Sequence, residues 1–362
     1  MAGLGMSIDM ALRGFIQGMR NHPSVEVGDS ARSIHEKSVV VDLHNDILMY
    51  CASFGFDLNR RHGSPRYFNP LRPLTDIPRL KAGGISALGC GIATLPFSSA
   101  RGPKKRWLTE VMDTLDRVVA DSAGNLTLAR NREDIMSAKR HGKIALFPGL
   151  EGLHLIKGDI EVLRALQKRG LCYVTLAHFA SNEAAISNYD KKPNFTGLSD
   201  FGKEVLEEML RLRLIIDLAH CATSTFMETV DYVKEPVIVS HTNCHELFPL
   251  WRNVTDSEIK AVSERDGVIG IMVSPRFTAE NYCAPLSLVV DHIMHVVKLV
   301  GARHVAIGSD LDGLVPTPNG FRDVADFPRI TQLLVDRGLS EDEIGGILGG
   351  NFLRVMERIK GE

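Results

Sequence analysis

The amino-acid sequence predicts a (β/α)8 barrel of the TIM type, and three observations carry that expectation. Eight short β-branched or apolar runs are each followed by a turn or loop and then by a longer stretch of helical period. No Gly-rich phosphate turn follows the first run, as a doubly wound open sheet would usually require. Six of the runs end in residues able to bind a cation or move a proton, and in a barrel those ends converge on one mouth.

The runs are Ser38–Asp42, Ile85–Ala93, Ile144–Gly149, Tyr173–Ala177, Leu214–Leu218, Val237–Ser240, Gly267–Val273 and His304–Ile307. Helices are expected at Trp107–Ala120, Asp159–Lys168, Phe201–Arg213, Asp256–Glu264 and Leu286–Val300, where apolar residues recur at i, i+3 and i+4. Asp200 stands where an N-cap for the third of these would be. Two segments exceed a minimal barrel, Cys51–Asp76, rich in Arg, Gly and Pro, and Ser181–Leu198. Both leave the C-terminal ends of strands and read as substrate-covering loops, with plain surface insertion an equal alternative. No repeat, low-complexity tract or linker divides the 362 residues. One domain over 1–362, with an N-terminal extension of about 1–36, is the simplest organisation.

With 44% hydrophobic and 24% charged residues the chain can bury a large core, and a net charge of -2 gives no basic excess for a nucleic-acid partner. Met1–Arg20 reads as an amphipathic surface helix, because Asp9 and Arg13 interrupt its apolar residues and no cleavage site frames it. No stretch approaches the roughly 18 apolar residues that span a bilayer, so a soluble cytoplasmic protein without membrane association is expected. The six cysteines are scattered singly, without a C-x-x-C pair, and read as small buried residues in a reducing compartment.

The first run leads into His44 and Asp46, two apart, a spacing that in an extended chain points both side chains to one face. That pair is weak by itself. It gains weight because Glu151, His178, His220, His241 and Asp310 follow five other runs. One such residue is an ordinary cap or loop residue; six strand ends sharing the accident is a poorer explanation than one metal site. Histidines with carboxylates suit Zn2+, although Mn2+, Co2+ or Fe2+ fit the same donors. A single catalytic zinc takes about three protein ligands, so His44, Asp46, Glu151, His220 and His241 suggest two ions per subunit, with Glu151 the simplest bridge.

In order, Leu-His-Asn-Asp, Glu-Gly-x-His, Thr-Leu-x-His, Ile-Asp-Leu-Ala-His, Ser-His and Gly-x-Asp-x-Asp-Gly resemble the motifs of the membrane (renal) dipeptidase family of the amidohydrolase superfamily. The resemblance runs from Ser38 to Val355. It implies an amidohydrolase-type barrel holding two zinc ions, bridged by Glu151 and a water or hydroxide. His44 and Asp46 would complete one shell, His220 and His241 the other. It further implies that His178 polarises the scissile carbonyl or stabilises the oxyanion, that Asp310 is the acid-base residue, and that Arg252 binds the substrate carboxylate. The implied reaction is hydrolysis of a dipeptide, with a D-residue tolerated at the C-terminal position, by a protein that is often a homodimer. The alternatives are a related amidohydrolase acting on another amide or ester, and a small-molecule-binding barrel with a vestigial site.

The sequence departs from the family where a tyrosine near the substrate is expected: counting from Arg252, that position falls on Phe277. Arg276 and Tyr282 are the candidates to replace it. His154 stands as a partner of the ligands or as a loop hydrogen-bonder, and His245 is equally ambiguous. Asp312 competes with Asp310 or shapes the Asp-Gly turn. Asp217 reads as a buried or interhelical hydrogen-bond partner rather than a ligand, and the remaining histidines, His22, His35, His62, His141, His292, His295 and His304, read as structural or solvated.

Overall fold

The computed structural model describes residues 25–63, 72–93, 104–191, 193–280 and 284–361. Its nine parallel strands are β1 (Val40–Asn45), β2 (Ile85–Ile92), β3 (Leu126–Leu128), β4 (Ile144–Glu151), β5 (Tyr173–Thr175), β6 (Ile215–Asp217), β7 (Ile238–Thr242), β8 (Val268–Ile271) and β9 (Val305–Ile307). Because β2 pairs with β4 as well as β1, and β1 also pairs with β9, eight of them close into a ring with helices between them. The chain is a (β/α)8 barrel. The ninth, β3, pairs only with Ile144–Leu146 at the start of β4, and β5 takes the later residues Gly149–Glu151. Three residues, Leu-Thr-Leu, are too short for a periodic signal, so the sequence does not announce β3.

The strands form where the chain can be buried on both faces, and β2 and β4 are buried throughout. In β4, Leu146 and Leu150 face the surrounding helices, whereas Ala145 and Phe147 belong to the second apolar cluster that fills the barrel. That cluster includes Val41, Tyr173, Ile215, Ile238, Val268 and Ala306. The helix Asn351–Lys360 closes the end where strands begin, with Phe352 stacked on Phe147 at 5.2 Å and the Asn351 amide donating to the Val305 carbonyl at 2.8 Å.

The expected helices form with small shifts at their ends. Helix Asp200–Arg211 is capped by Ser199, whose hydroxyl accepts from the Gly202 N–H at 3.0 Å. Asp200 is therefore not the cap; it lies in the first turn, where its charge meets the positive end of the helix dipole. Helix Asp256–Glu264 begins in a capping box between Thr255 and Glu258. The helix expected at Met1–Arg20 lies outside the described residues. Five cysteines, Cys51, Cys90, Cys172, Cys221 and Cys244, are free and buried, and Cys283 lies outside the described residues. Among the described residues no helix is long and apolar enough to cross a membrane.

Both long loops are pinned at the mouth. Cys51–Phe54 completes the helix Ile47–Phe54, and Leu74 N–H donates to Asp312 Oδ1 at 2.6 Å while Asn45 Nδ2 donates to Thr75 Oγ1 at 3.0 Å. In the other loop, Ser187 Oγ donates to the His178 carbonyl and Asn188 N–H to the His220 carbonyl at 2.8 Å.

Candidate active site

Strand alternation delivers Glu151 directly: Ala145, Phe147, Gly149 and Glu151 share the inner face of β4, and Glu151 is its last residue. His44 and His241 arrive differently. Val40 and Val239 face the helices, so simple alternation would send His44 and His241 outward as well. The register of β1 slips between Asp42 and Asn45 and that of β7 between Val239 and Thr242. Such irregularities re-aim side chains, and here the two imidazoles stack across the mouth with centroids 3.9 Å apart. Asp46 is not in an extended strand. It begins the helix Ile47–Phe54 with φ -98° and ψ 15°, so the turn after β1, not the period of a strand, brings it beside His44. His220 follows β6 with φ 64°, a left-handed conformation that turns its ring back toward the others.

Glu151 Oε1 is the centre of the site. It lies 3.2 Å from His220 Nε2, 3.3 Å from His241 Nε2, 3.5 Å from His178 Nε2 and 3.6 Å from His44 Nε2. His44 Nε2 is also 3.7 Å from Asp46 Oδ1. Three overlapping trios have ligand atoms within 4.8 Å of one another: His44, Glu151 and His241; Glu151, His178 and His220; His44, Asp46 and Asp310. A Cβ on Gly91 would stand 2.3 Å from Asp46 Oδ1 and 2.9 Å from His44 Cε1, so the glycine leaves the room that this cluster occupies.

Two residues that the sequence reading did not single out orient the imidazoles. Ser240 Oγ donates to Asp217 Oδ2 at 2.6 Å and so can only accept from His241 Nδ1, 2.8 Å away. The proton on Nδ1 leaves the Nε2 lone pair free to face Glu151. Asp217 is thus a hydrogen-bond anchor, held in turn by Thr175 Oγ1 at 2.6 Å and by the Ser240 and Ala219 N–H groups. On the opposite side, Tyr173 Oη lies 2.8 Å from His44 Nδ1. Its ring fits only because its partner across the β4–β5 pairing is Gly149, where a Cβ would stand 1.9 Å from Tyr173 Cζ.

Burial sets the electrostatics. It raises the carboxyl of Glu151 well above the usual range, with Asp46 and Asp310 adding to the effect. It lifts Asp46 to about 7, with a further push from Asp312, and it raises Asp310 well above its ordinary value, with Asp46 second. Burial lowers His44 to about 3 and takes His178, His220 and His241 well below the ordinary imidazole value. Crowded acids and neutral imidazoles that face one another are an expensive arrangement unless a cation sits among them. His44 Nε2 and Asp46 Oδ1 are buried and have no hydrogen-bond partner, which fits the same donors ligating a divalent ion.

Around this centre, Asp310 N–H donates to the His44 carbonyl at 3.0 Å with φ 58°, which holds the Asp310 carboxyl at the mouth. Asp312 Oδ1 accepts from the Leu74 N–H and so anchors the loop, while its Oδ2 is buried without a hydrogen-bond partner. Arg252 is buried; its Nη2 donates to the His241 carbonyl at 2.8 Å, and its charge is felt by Asp310 and Glu151. All eight residues singled out from the sequence, His44, Asp46, Glu151, His178, His220, His241, Arg252 and Asp310, are gathered here. His154 stacks near His178 with centroids 6.2 Å apart. His292 and His295 serve the fold, accepting from the Cys244 N–H and pairing with Asp256. Phe277 is buried with Met272 and Val315, with the Arg276 guanidinium 5.6 Å from its ring centre, and Tyr282 lies outside the described residues.

The sequence model of the membrane dipeptidase family, peptidase family M19, matches residues 28–361. The chain belongs to the membrane dipeptidase family. Membership places it among the metallo-dipeptidases, enzymes of the hydrolase class. The dipeptidase aclJ of Aspergillus oryzae is 33% identical over 329 residues, covering 88% of this chain and 77% of that protein. The dipeptidase tcpJ of Claviceps purpurea is 31% identical over 331 residues, covering 88% and 76%. Among solved structures, the probable dipeptidase PvdM from Pseudomonas aeruginosa superposes with a TM-score of 0.82 at 20% identity, over 91% of this chain and 98% of that one. A metallo peptidase from Rhodobacter sphaeroides, liganded with a phosphinate mimic of the dipeptide L-Ala-D-Ala, superposes at 0.78 with 21% identity over 89% and 100%. At those identities the structural likeness establishes the shared barrel of this dipeptidase family.

Proposed function

We propose that this dipeptidase cleaves the single peptide bond of dipeptides, L-Xaa-D-Xaa included, at a centre of two zinc ions. The observation that carries the proposal is the convergence of four histidine Nε2 atoms on one buried carboxylate oxygen of Glu151. His44 and Asp46 would hold one ion and His220 and His241 the other, with Glu151 the carboxylate placed to serve both. When bound, the ions supply Lewis acidity and make a water nucleophilic near neutral pH. Asp310, at the mouth beside Asp46 and His44, takes the proton of the attacking water and passes it to the leaving amine. His178, kept neutral by burial, donates to the oxyanion. Arg252 grips the substrate carboxylate and orients the peptide. Tolerance of a D-residue is supported by the Rhodobacter metallo peptidase and its L-Ala-D-Ala mimic.

The test is a panel of L,L and L,D dipeptides beside N-acyl amino acids and lactones, offered to zinc-reconstituted protein before and after chelation. Dipeptides should be hydrolysed, chelation should abolish turnover and zinc should restore it. Turnover of lactones or N-acyl amino acids without dipeptides would overturn the substrate class. Undiminished turnover in verified metal-free protein would overturn the mechanism.

A further inference from the structure

A chain of exposed aromatic rings leads out of the metal-ligand cluster. Phe179 lies 4.3 Å from the His178 ring and 5.3 Å from the His220 ring, Tyr189 meets Phe179 edge-on at 6.1 Å, and Trp251 meets Tyr189 edge-on at 5.1 Å. These three are 44%, 38% and 39% exposed, whereas most large apolar side chains of the barrel are buried. They come from two different loops, after β5 and after β7, and the Asn188 N–H on the His220 carbonyl ties the first loop in place. Trp251 turns outward directly beside Arg252, which turns inward and is buried.

Exposed aromatics that touch edge-on keep their faces open to apolar or planar groups, and an apolar wall continuous with a polar reacting centre is the usual build of a specificity pocket. A wall that begins on two site histidines and ends next to the carboxylate-binding candidate is long enough to flank a substrate in the site. We infer that Phe179, Tyr189 and Trp251 form a side-chain subsite that selects dipeptides carrying a large apolar or aromatic side chain. This rests on the dipeptidase reading and adds the substrate class.

The experiment compares zinc-loaded wild type with Trp251→Ala and Tyr189→Leu on dialanine and on dipeptides with phenylalanine at either position. Circular dichroism confirms that each variant is folded. The wild type should favour one phenylalanine dipeptide by about tenfold or more in kcat/KM, and each variant should lower that ratio by about 2- to 10-fold, the span of one lost aromatic contact. Equal wild-type kcat/KM for dialanine and both phenylalanine dipeptides, or an unchanged ratio in both folded variants, would overturn the inference. Isothermal titration with the same dipeptides runs in parallel. If none is cleaved, the dipeptidase reading falls, and the titration still decides the subsite: tighter binding of the aromatic dipeptide that Trp251→Ala weakens supports it, and equal binding refutes it.

Discussion

Tyr173 Oη and His44 Nδ1 lie 2.8 Å apart at the floor of the mouth, both fully buried. With Nε2 ligating a cation beside Glu151 and Asp46, Nδ1 would carry the proton and donate to the phenol oxygen. Removing such an outer partner typically costs about 10- to 100-fold in metal affinity or activity. Tyr173→Phe should therefore keep the barrel and its packing but weaken zinc by that factor, as read by competition with a chelator of known affinity. Unchanged zinc affinity in the variant would leave Tyr173 a packing residue only.

The room for that ring is made by Gly149, which faces Tyr173 across the β4–β5 pairing. A Cβ there would stand within bonding distance of the ring carbons, so Gly149→Ala must displace the ring. Overpacking of this kind costs about 1–3 kcal/mol. The variant should lose that much in denaturant unfolding, and adding Tyr173→Leu should restore part of it, because the two positions share one space. Additive losses in the double variant would show that the strain lies elsewhere.

Glu151→Gln should lose metal as well as rate. Its Oε1 lies within 3.6 Å of four histidine nitrogens, and an amide, neutral and half donor, bridges two cations poorly. Metal analysis of the purified variant checks this; full occupancy of two ions would remove Glu151 from the bridging role.

The part of this site that was legible in the sequence was legible for a physical reason. Parallel strands buried on both faces read as apolar runs, and a polar residue that ends such a run stands out, as Glu151 and His241 do. How His44 and His241 turn inward was not legible, because it depends on register slips in β1 and β7 that no side-chain pattern encodes. From the sequence Tyr173 is only the first residue of a strand, although Gly149, two residues before Glu151 on the preceding run, signals that something large crosses there. Asp217 is legible as a buried hydrogen-bond partner, but nothing in the sequence ties it to Ser240, which reads as a flanking residue of the His241 motif. Their pairing appears only once β6 and β7 lie side by side. Phe179, Tyr189 and Trp251 sit in loops without period, so only the fold brings them together.

Asp310→Asn should behave unlike Glu151→Gln, retaining metal and fold while losing most turnover, since proton transfer by a positioned side chain is worth about 10²–10⁴-fold. The alternative has a structural basis, because an Asp310 oxygen lies within ligand reach of His44 and Asp46. Loss of one ion from the variant would make Asp310 a ligand, and near-native kcat with full metal would move the proton to another group. Asp312 is the first group to test in that case: its Oδ1 accepts from the Leu74 N–H, but its Oδ2 is buried without a hydrogen-bond partner.

Arg252→Met should cut kcat/KM for dipeptides by about 10- to 150-fold, the loss of charge-assisted hydrogen bonds worth roughly 1.5–3 kcal/mol. The expectation comes from a buried guanidinium that spends one nitrogen on the His241 carbonyl and stands near both Asp310 and Glu151. A cation placed there would meet a substrate carboxylate in a dry, low-dielectric setting, where a fork of two hydrogen bonds would also fix the peptide carbonyl over the reacting centre. An exposed ion pair would contribute far less. The same substitution deletes the bond to His241, so two controls separate the roles. Dipeptide amides, which lack the carboxylate, should be poor substrates of the wild type and should lose little further in Arg252→Met. Arg252→Lys should recover charge but not the fork, and so only part of the rate on free dipeptides. If amides and free acids are cleaved equally well by the wild type, Arg252 is a support for the β7 backbone and the substrate carboxylate is held elsewhere, with Arg276 the next residue to test.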